Sequence, residues 1–172
     1  MTQSSQLVRA WLSLGSNQAP MRHLPKAIDD LRAMFGDLCI SPVYESEAVG
    51  FKGDNFINLV VGIHTWLSPV TLNERLKGIE EKHGRQRSGD KFDARTIDID
   101  LLTYGAEVVD KGEMQLPRDE ILRYAFVLLP LCEVAGEEFH PRVGKTYRQL
   151  WQAFDQSAQP LWQVDMPLQS TL

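Results

Sequence analysis

The chain has 172 residues, with 18 Lys and Arg against 23 Asp and Glu, a formal net charge of −5. That length fits one domain and buries roughly 70% of the unfolded surface. Hydrophobic residues at 43% and charged residues at 24% exclude disordered and fibrous classes, and the acidic balance argues against a nucleic-acid partner.

Leu7 to Leu14 is rich in strand formers and ends at the turn cluster Gly15-Ser16-Asn17, read as a turn and helix cap. Leu24, Ala27, Ile28, Leu31 and Phe35 then recur at helical spacing up to Gly36. Leu38 to Tyr44 reads as a second strand, Glu45 to Asn55 as a loop, and Phe56 to Thr65 as a third strand. Ser68-Pro69 opens a helix to about His83, with Leu72, Leu76 and Ile79 on one face. Arg95 to Tyr104 is a fourth strand, and helices are expected over Ala125 to Ala135 and Tyr147 to Phe154. The order β-α-β-β-α-β predicts an α+β, ferredoxin-like sheet with helices on one face, followed by a C-terminal extension. Residues 1–155 are read as one domain and 156–172 as a flexible tail. Cys39 and Cys132, far apart and outside any CxxC, read as small hydrophobes in a reducing compartment. No basic-then-apolar leader and no apolar run of about 18 residues is present, so a cytoplasmic protein with no membrane partner is expected.

The chemistry concentrates in Arg95-Thr96-Ile97-Asp98-Ile99-Asp100. Strand side chains alternate faces, so Asp98 and Asp100 point together while Ile97, Ile99 and Leu101 point into a core. A bare D-x-D is more often a half-solvated strand. Here the two like charges repel, and a cation relieves that repulsion; two hard oxygen ligands suit Mg²⁺ with phosphate oxygens and water. Directly upstream, Lys82, Arg85, Arg87, Lys91 and Arg95 outnumber Asp90 and Asp93 in a glycine-containing segment. A charge run is usually a solvated face, but arginines beside an aspartate pair suit phosphoryl transfer. There is no P-loop and no protein-kinase motif set, so ATP would be held by another scheme. The four histidines form no spaced ligand set.

From Leu12 to about Pro141 the chain resembles the 6-hydroxymethyl-7,8-dihydropterin pyrophosphokinases of the folate pathway. The resemblance rests on Leu14-Gly15-Ser16-Asn17, Ser41-Pro42-Val43-Tyr44-Glu45-Ser46 and Phe56-Ile57-Asn58-Leu59-Val60. It continues through Ile79-Glu80, Gly84-Arg85-Gln86-Arg87, Arg95 to Asp100, Leu116-Pro117 and Phe126 to Leu131. Each piece is weak alone, and their order and spacing are specific together. The resemblance implies transfer of pyrophosphate from ATP to the pterin hydroxymethyl group, releasing AMP. It implies that Asp98 and Asp100 hold two Mg²⁺ ions, with Asp98 also taking the hydroxyl proton. Arg85 and Arg95 would offset charge on the transferring phosphates. Asn58 would read the pterin edge, Phe56 and Phe126 would sandwich its ring, and Ser46 and Val49 would complete the pocket. Lys77, Glu80, Arg87, Arg118 and Arg123 would lie at the nucleotide.

The chain departs from the family at Asp93-Ala94 for Gly-Pro, Phe92 for Trp, Arg118 for His, Tyr124 for Arg and Glu47 for Pro. A low-activity or non-catalytic pterin- or nucleotide-binding paralogue is therefore the alternative function. A ferredoxin-like RNA-binding module is a third, disfavoured by the charge and by the lack of a Lys/Arg-Gly-Phe strand motif. The expected partners are ATP and the pterin alone, acting on a monomer.

Overall fold

The computed structural model describes residues 3–48, 53–84 and 96–170. Its centre is a six-stranded antiparallel sheet in the order β5-β1-β4-β3-β8, with β2 also paired to β4. The strands are β1 (Gln3–Ser16), β2 (Cys39–Ile40), β3 (Val43–Ser46), β4 (Phe56–Leu67), β5 (Asp98–Tyr104) and β8 (Leu161–Val164). A separate hairpin of β6 (Val109–Lys111) and β7 (Met114–Leu116) follows β5.

Helix α1 (Pro20–Phe35) starts with Pro at its first position, buries Leu24, Ala27, Ile28 and Leu31, and stops at Gly36. Gly36 takes φ 79°, which a side chain disfavours, and its N–H bonds Arg32 O. Helix α2 (Pro69–Lys82) is capped by Ser68, whose hydroxyl accepts from Thr71 N, and buries Leu72, Leu76 and Ile79. Both helices pack on the sheet face carrying Leu12, Leu14, Leu59, Val61, Ile99 and Leu101. These are the two helices of the expected βαββαβ unit, and they share one face.

The C-terminal extension covers the other face. Helix α4 (Ala125–Ala135) is an almost unbroken apolar run, and a helix apolar all round is buried on more than one side. It lies between the sheet and α5 (Tyr147–Ala153), packing Val127, Leu128 and Leu131 against Trp11, Val60 and Leu102. A short helix, α3 (Glu120–Arg123), leads into it. Tyr44 on β3 donates its hydroxyl hydrogen bond to Glu133 on α4, tying helix to sheet.

Three details differ from the sequence expectation. The second strand is interrupted at Ser41-Pro42, because proline has no N–H to give the ladder. Ser41 bridges the break: its N–H bonds Val60 O at 2.9 Å and its hydroxyl accepts from Val60 N at 2.8 Å. Ser16 does not cap α1, whose N-cap is Ala19; its hydroxyl instead donates to Thr96 O at 2.6 Å, fixing the approach to β5. The tail is not loose through residue 170. Strand β8 pairs with β3, Met166 is buried in the main core, and Ser170 donates to Leu38 O at 3.1 Å. Apolar Leu161, Val164 and Met166 among polar residues are enough to dock the segment. Cys39 and Cys132 are free and half-buried. Among the described residues no helix is long and apolar enough to cross a membrane.

Candidate active site

The site lies where the sheet face under α4 runs beyond that helix. Register places Asp98 of β5 opposite Gly15 of β1, and Gly15 opposite Asn58 of β4. Two residues along, Asp100 pairs with Ser13, and Ser13 with Val60. Residues two apart share a face, so Asp98, Asp100, Ser13 and Asn58 look into one space. Gly15 is the floor between the carboxylates and the amide. A Cβ there would lie 2.6 Å from Asn58 Oδ1, so glycine is what lets the Asn58 side chain lie over β1.

These residues line a cleft of about 360 Å³, within the range of small-molecule sites. Ser46, Phe56, Asn58, Asp98, Asp100 and Phe126 all face it, so six sequence-predicted residues from four elements converge. The Asn58 Nδ2 and the Ser46 hydroxyl are buried there with no protein hydrogen-bond partner. A buried polar group without a partner costs about 1–3 kcal/mol, which a polar ligand edge in the cleft would offset.

Burial pushes the Asp100 carboxyl above the usual carboxylate range, and Asp98 adds to this while Arg118 opposes it. Two hard carboxylates held on one face, one resisting its own charge, are the donor set a divalent cation fits. Among the described residues no cluster of three or more His, Cys, Asp or Glu is arranged as a metal cage. The pair therefore suits an ion that keeps water and phosphate ligands.

Glu80 sits beneath this surface rather than in it. It is 1% exposed, and its Oε2 accepts from Ile99 N, between the two aspartates, at 2.7 Å. It braces the strand that carries them. Lys77, exposed on α2, is near enough for its charge to be felt at Asp100. Arg118 follows β7 and donates from Nε to Glu120 Oε2 at 2.9 Å and again from its terminal nitrogen. Burial works against the Arg118 charge, but Glu120 and Asp100 outweigh it and raise its pKa. Arg123 points outward: it pairs with Asp119 at 2.6 Å and lies 5.1 Å over the Tyr124 ring. Val49, Arg85, Arg87 and Arg95 lie outside the described residues.

The sequence did not single out Ser13, Glu120 and Tyr124 as site residues, yet all three line the cleft. Tyr124 stacks on Phe126, with centroids 5.0 Å apart and planes 19° apart. The signal for Ser13 was available, since it lies two residues before Gly15 on one strand. Glu120 carries no local signal, because the α3–α4 corner that swings it in depends on packing across the sheet.

Residues 11–136 match the model of the family described as 7,8-dihydro-6-hydroxymethylpterin-pyrophosphokinase (HPPK). The chain is 36% identical over 159 residues to a 2-amino-4-hydroxy-6-hydroxymethyldihydropteridine pyrophosphokinase of Synechocystis sp., covering 90% of this chain and 80% of that one. It is 34% identical to the enzyme so named of Aquifex aeolicus, over 78% and 85% of the two chains. In fold it resembles Plasmodium falciparum HPPK-DHPS crystallised with pteroate, with a TM-score of 0.74 at 14% identity. That likeness covers 89% of this chain and 43% of the larger one. The paired aspartates, the glycine floor and the buried asparagine thus sit on a matching fold and within a matching sequence. The chain belongs to the 7,8-dihydro-6-hydroxymethylpterin-pyrophosphokinase family.

Proposed function

We propose that the chain transfers the pyrophosphoryl group of ATP to the hydroxymethyl oxygen of 6-hydroxymethyl-7,8-dihydropterin, giving the pterin diphosphate and AMP in folate synthesis. The observation that carries this reading is the convergence of Asp98, Asp100 and Asn58 on one cleft across Gly15. The hydroxymethyl oxygen attacks the β-phosphorus, the bond from that phosphorus to the α-phosphate oxygen breaks, and AMP leaves.

Asn58 offers two donors and an acceptor, so its amide reads the edge of the pterin pyrimidine. Phe56 and Phe126 take the flat ring by stacking, and the Ser46 hydroxyl and the backbone near Val49 complete the pocket. Asp98 accepts the hydroxyl proton as the oxygen attacks. Asp98 and Asp100 would hold two Mg²⁺ ions. Bound there, the ions would supply positive charge to offset the negative charge on the phosphates. Arg85 and Arg95 add donors to the same phosphates, and Lys77, Arg87 and Arg118 supply positive charge for the nucleotide; Arg123 would join them only by leaving its outward pair with Asp119. Glu80 acts through β5, from whose Ile99 N–H it accepts. We further propose that the protein works as a cytoplasmic monomer.

Purified protein with ATP, Mg²⁺ and the pterin is expected to release AMP, and chelation of Mg²⁺ to stop it. Folded protein that binds the pterin but forms no AMP at saturating substrates would instead make it a binding paralogue.

A further inference from the structure

The Tyr124–Phe126 wall of the cleft has space on both sides. Behind it lies a second cavity of about 270 Å³, which shares Ser46, Glu47, Tyr124 and Phe126 with the main cleft. Its far side is formed by Gln159, Pro160 and Leu161 of the C-terminal extension. A partition with cavities on both faces loses packing contacts that would hold it. The two rings rest in part on the core cluster around Val60 and Leu128, and the backbone that carries them has a share in fixing the wall.

Gln159 holds that backbone from both sides of Tyr124. Its Oε1 accepts from Ala125 N at 3.0 Å, and its Nε2 donates to Arg123 O at 2.8 Å. Ala125 is the first residue of α4, so its N–H has no partner within the helix. Arg123 O ends α3, whose four residues make few bonds of their own. One side-chain amide therefore clamps the residue between them, which is extended at φ −121° and ψ 124°. Gln159 is itself anchored two residues on, where Leu161 of β8 pairs with Ser46 of β3, another residue of the cleft. The family match ends at residue 136, so this clamp comes from a part of the chain beyond it.

We propose that Gln159 is a positioning residue for the pterin: its amide fixes the backbone around Tyr124 and so sets the aromatic wall of the site. The pterin identity rests on the function proposed above; the clamp itself does not. The test compares Gln159→Ala with the unaltered chain, using 6-hydroxymethyl-7,8-dihydropterin in the presence of α,β-methylene-ATP. Loss of two hydrogen bonds around the wall is expected to weaken pterin binding about tenfold. Affinity for the nucleotide should stay unchanged and the thermal midpoint should fall by only a few degrees, and in turnover the pterin KM should rise more than kcat falls. Amide hydrogen exchange at Ala125 should quicken, and this is measured with no ligand present. Unchanged pterin affinity overturns the proposal, as does an equal loss of both ligands. If the unaltered chain binds no pterin, the proposed function fails; the clamp is then judged on Ala125 exchange, and an unchanged rate overturns it.

Discussion

Gly15→Ala should separate pterin recognition from the rest of the site. The added Cβ would stand 2.6 Å from Asn58 Oδ1, where ordinary contact begins at 3.4 Å. The amide oxygen must therefore retreat by the difference, about 0.8 Å. Asn58 is 4% exposed and lines the cleft, so the displaced side chain turns into the space the pterin would fill. A shift of about 0.8 Å there sets the amide out of alignment with the pterin edge, and hydrogen bonds that need about 2.9 Å and near-linear geometry are lost. Two bonds lost from the amide cost about 1–3 kcal/mol, or roughly ten- to a hundredfold in affinity. The next nearest atoms to the new methyl, Asn58 Cγ at 3.7 Å and Ile57 O at 3.9 Å, are at ordinary distance. The fold should hold, with a midpoint within about 4 °C of the parent. The assay is titration with 6-hydroxymethyl-7,8-dihydropterin beside a nucleotide titration of the same sample. Pterin affinity within twofold of the parent would refute the reasoning, as would equal loss of both ligands.

Asp100→Ala should lower turnover on the order of a thousandfold, read as AMP formation. Its thermal midpoint should be unchanged or raised, because burial already works against that carboxylate's charge. His140 Nδ1 accepts from Arg142 N and Val143 N at 3.2 Å each, and burial lowers the ring's pKa below 6.5. The unfolded chain then binds the extra proton first, so this contribution to stability is complete above about pH 6.5 and shrinks as pH falls toward the lower folded value. His140→Gln should flatten the pH dependence of urea unfolding in that window; an identical profile would contradict it. Met166 is 7% exposed in the main core, so Met166→Ala should cost about 2–3 kcal/mol and lower the midpoint by at least about 4 °C. A loose tail would leave the midpoint where it was.

Much of this was legible in the sequence, for physical reasons that stop at definite places. Helical periodicity located α1 and α2, each of which buries a stripe, and the apolar run from Ala125 to Ala135 located α4. Alternation placed Asp98 and Asp100 on one face, and β5 bears that out. Alternation within a strand does not tell which strand lies beside it. The row Asp98–Gly15–Asn58 is a matter of register between β5, β1 and β4, and the role of Gly15 emerges only there. The family resemblance put Glu80 at the nucleotide, and a charged helix residue is normally exposed. In place it is buried and spends its carboxylate on Ile99 N, a pairing set by how α2 packs on the sheet. The tail looked loose because its apolar residues are few, and one strand's worth of pairing with β3 settles it. Arg118 and Arg123, alike in sequence, part in space: one reaches Glu120 beside the cleft, the other lies outward over Tyr124.

The central claim is that one cleft moves two phosphoryl groups as a unit from ATP to the pterin. The most direct measurement gives the protein ATP labelled separately at the β- and at the γ-phosphate, with Mg²⁺ and 6-hydroxymethyl-7,8-dihydropterin, and follows each label. Both labels should appear in the pterin product in equal amounts, matched by unlabelled AMP. Label from the γ-phosphate alone, with ADP as the other product, would contradict the account.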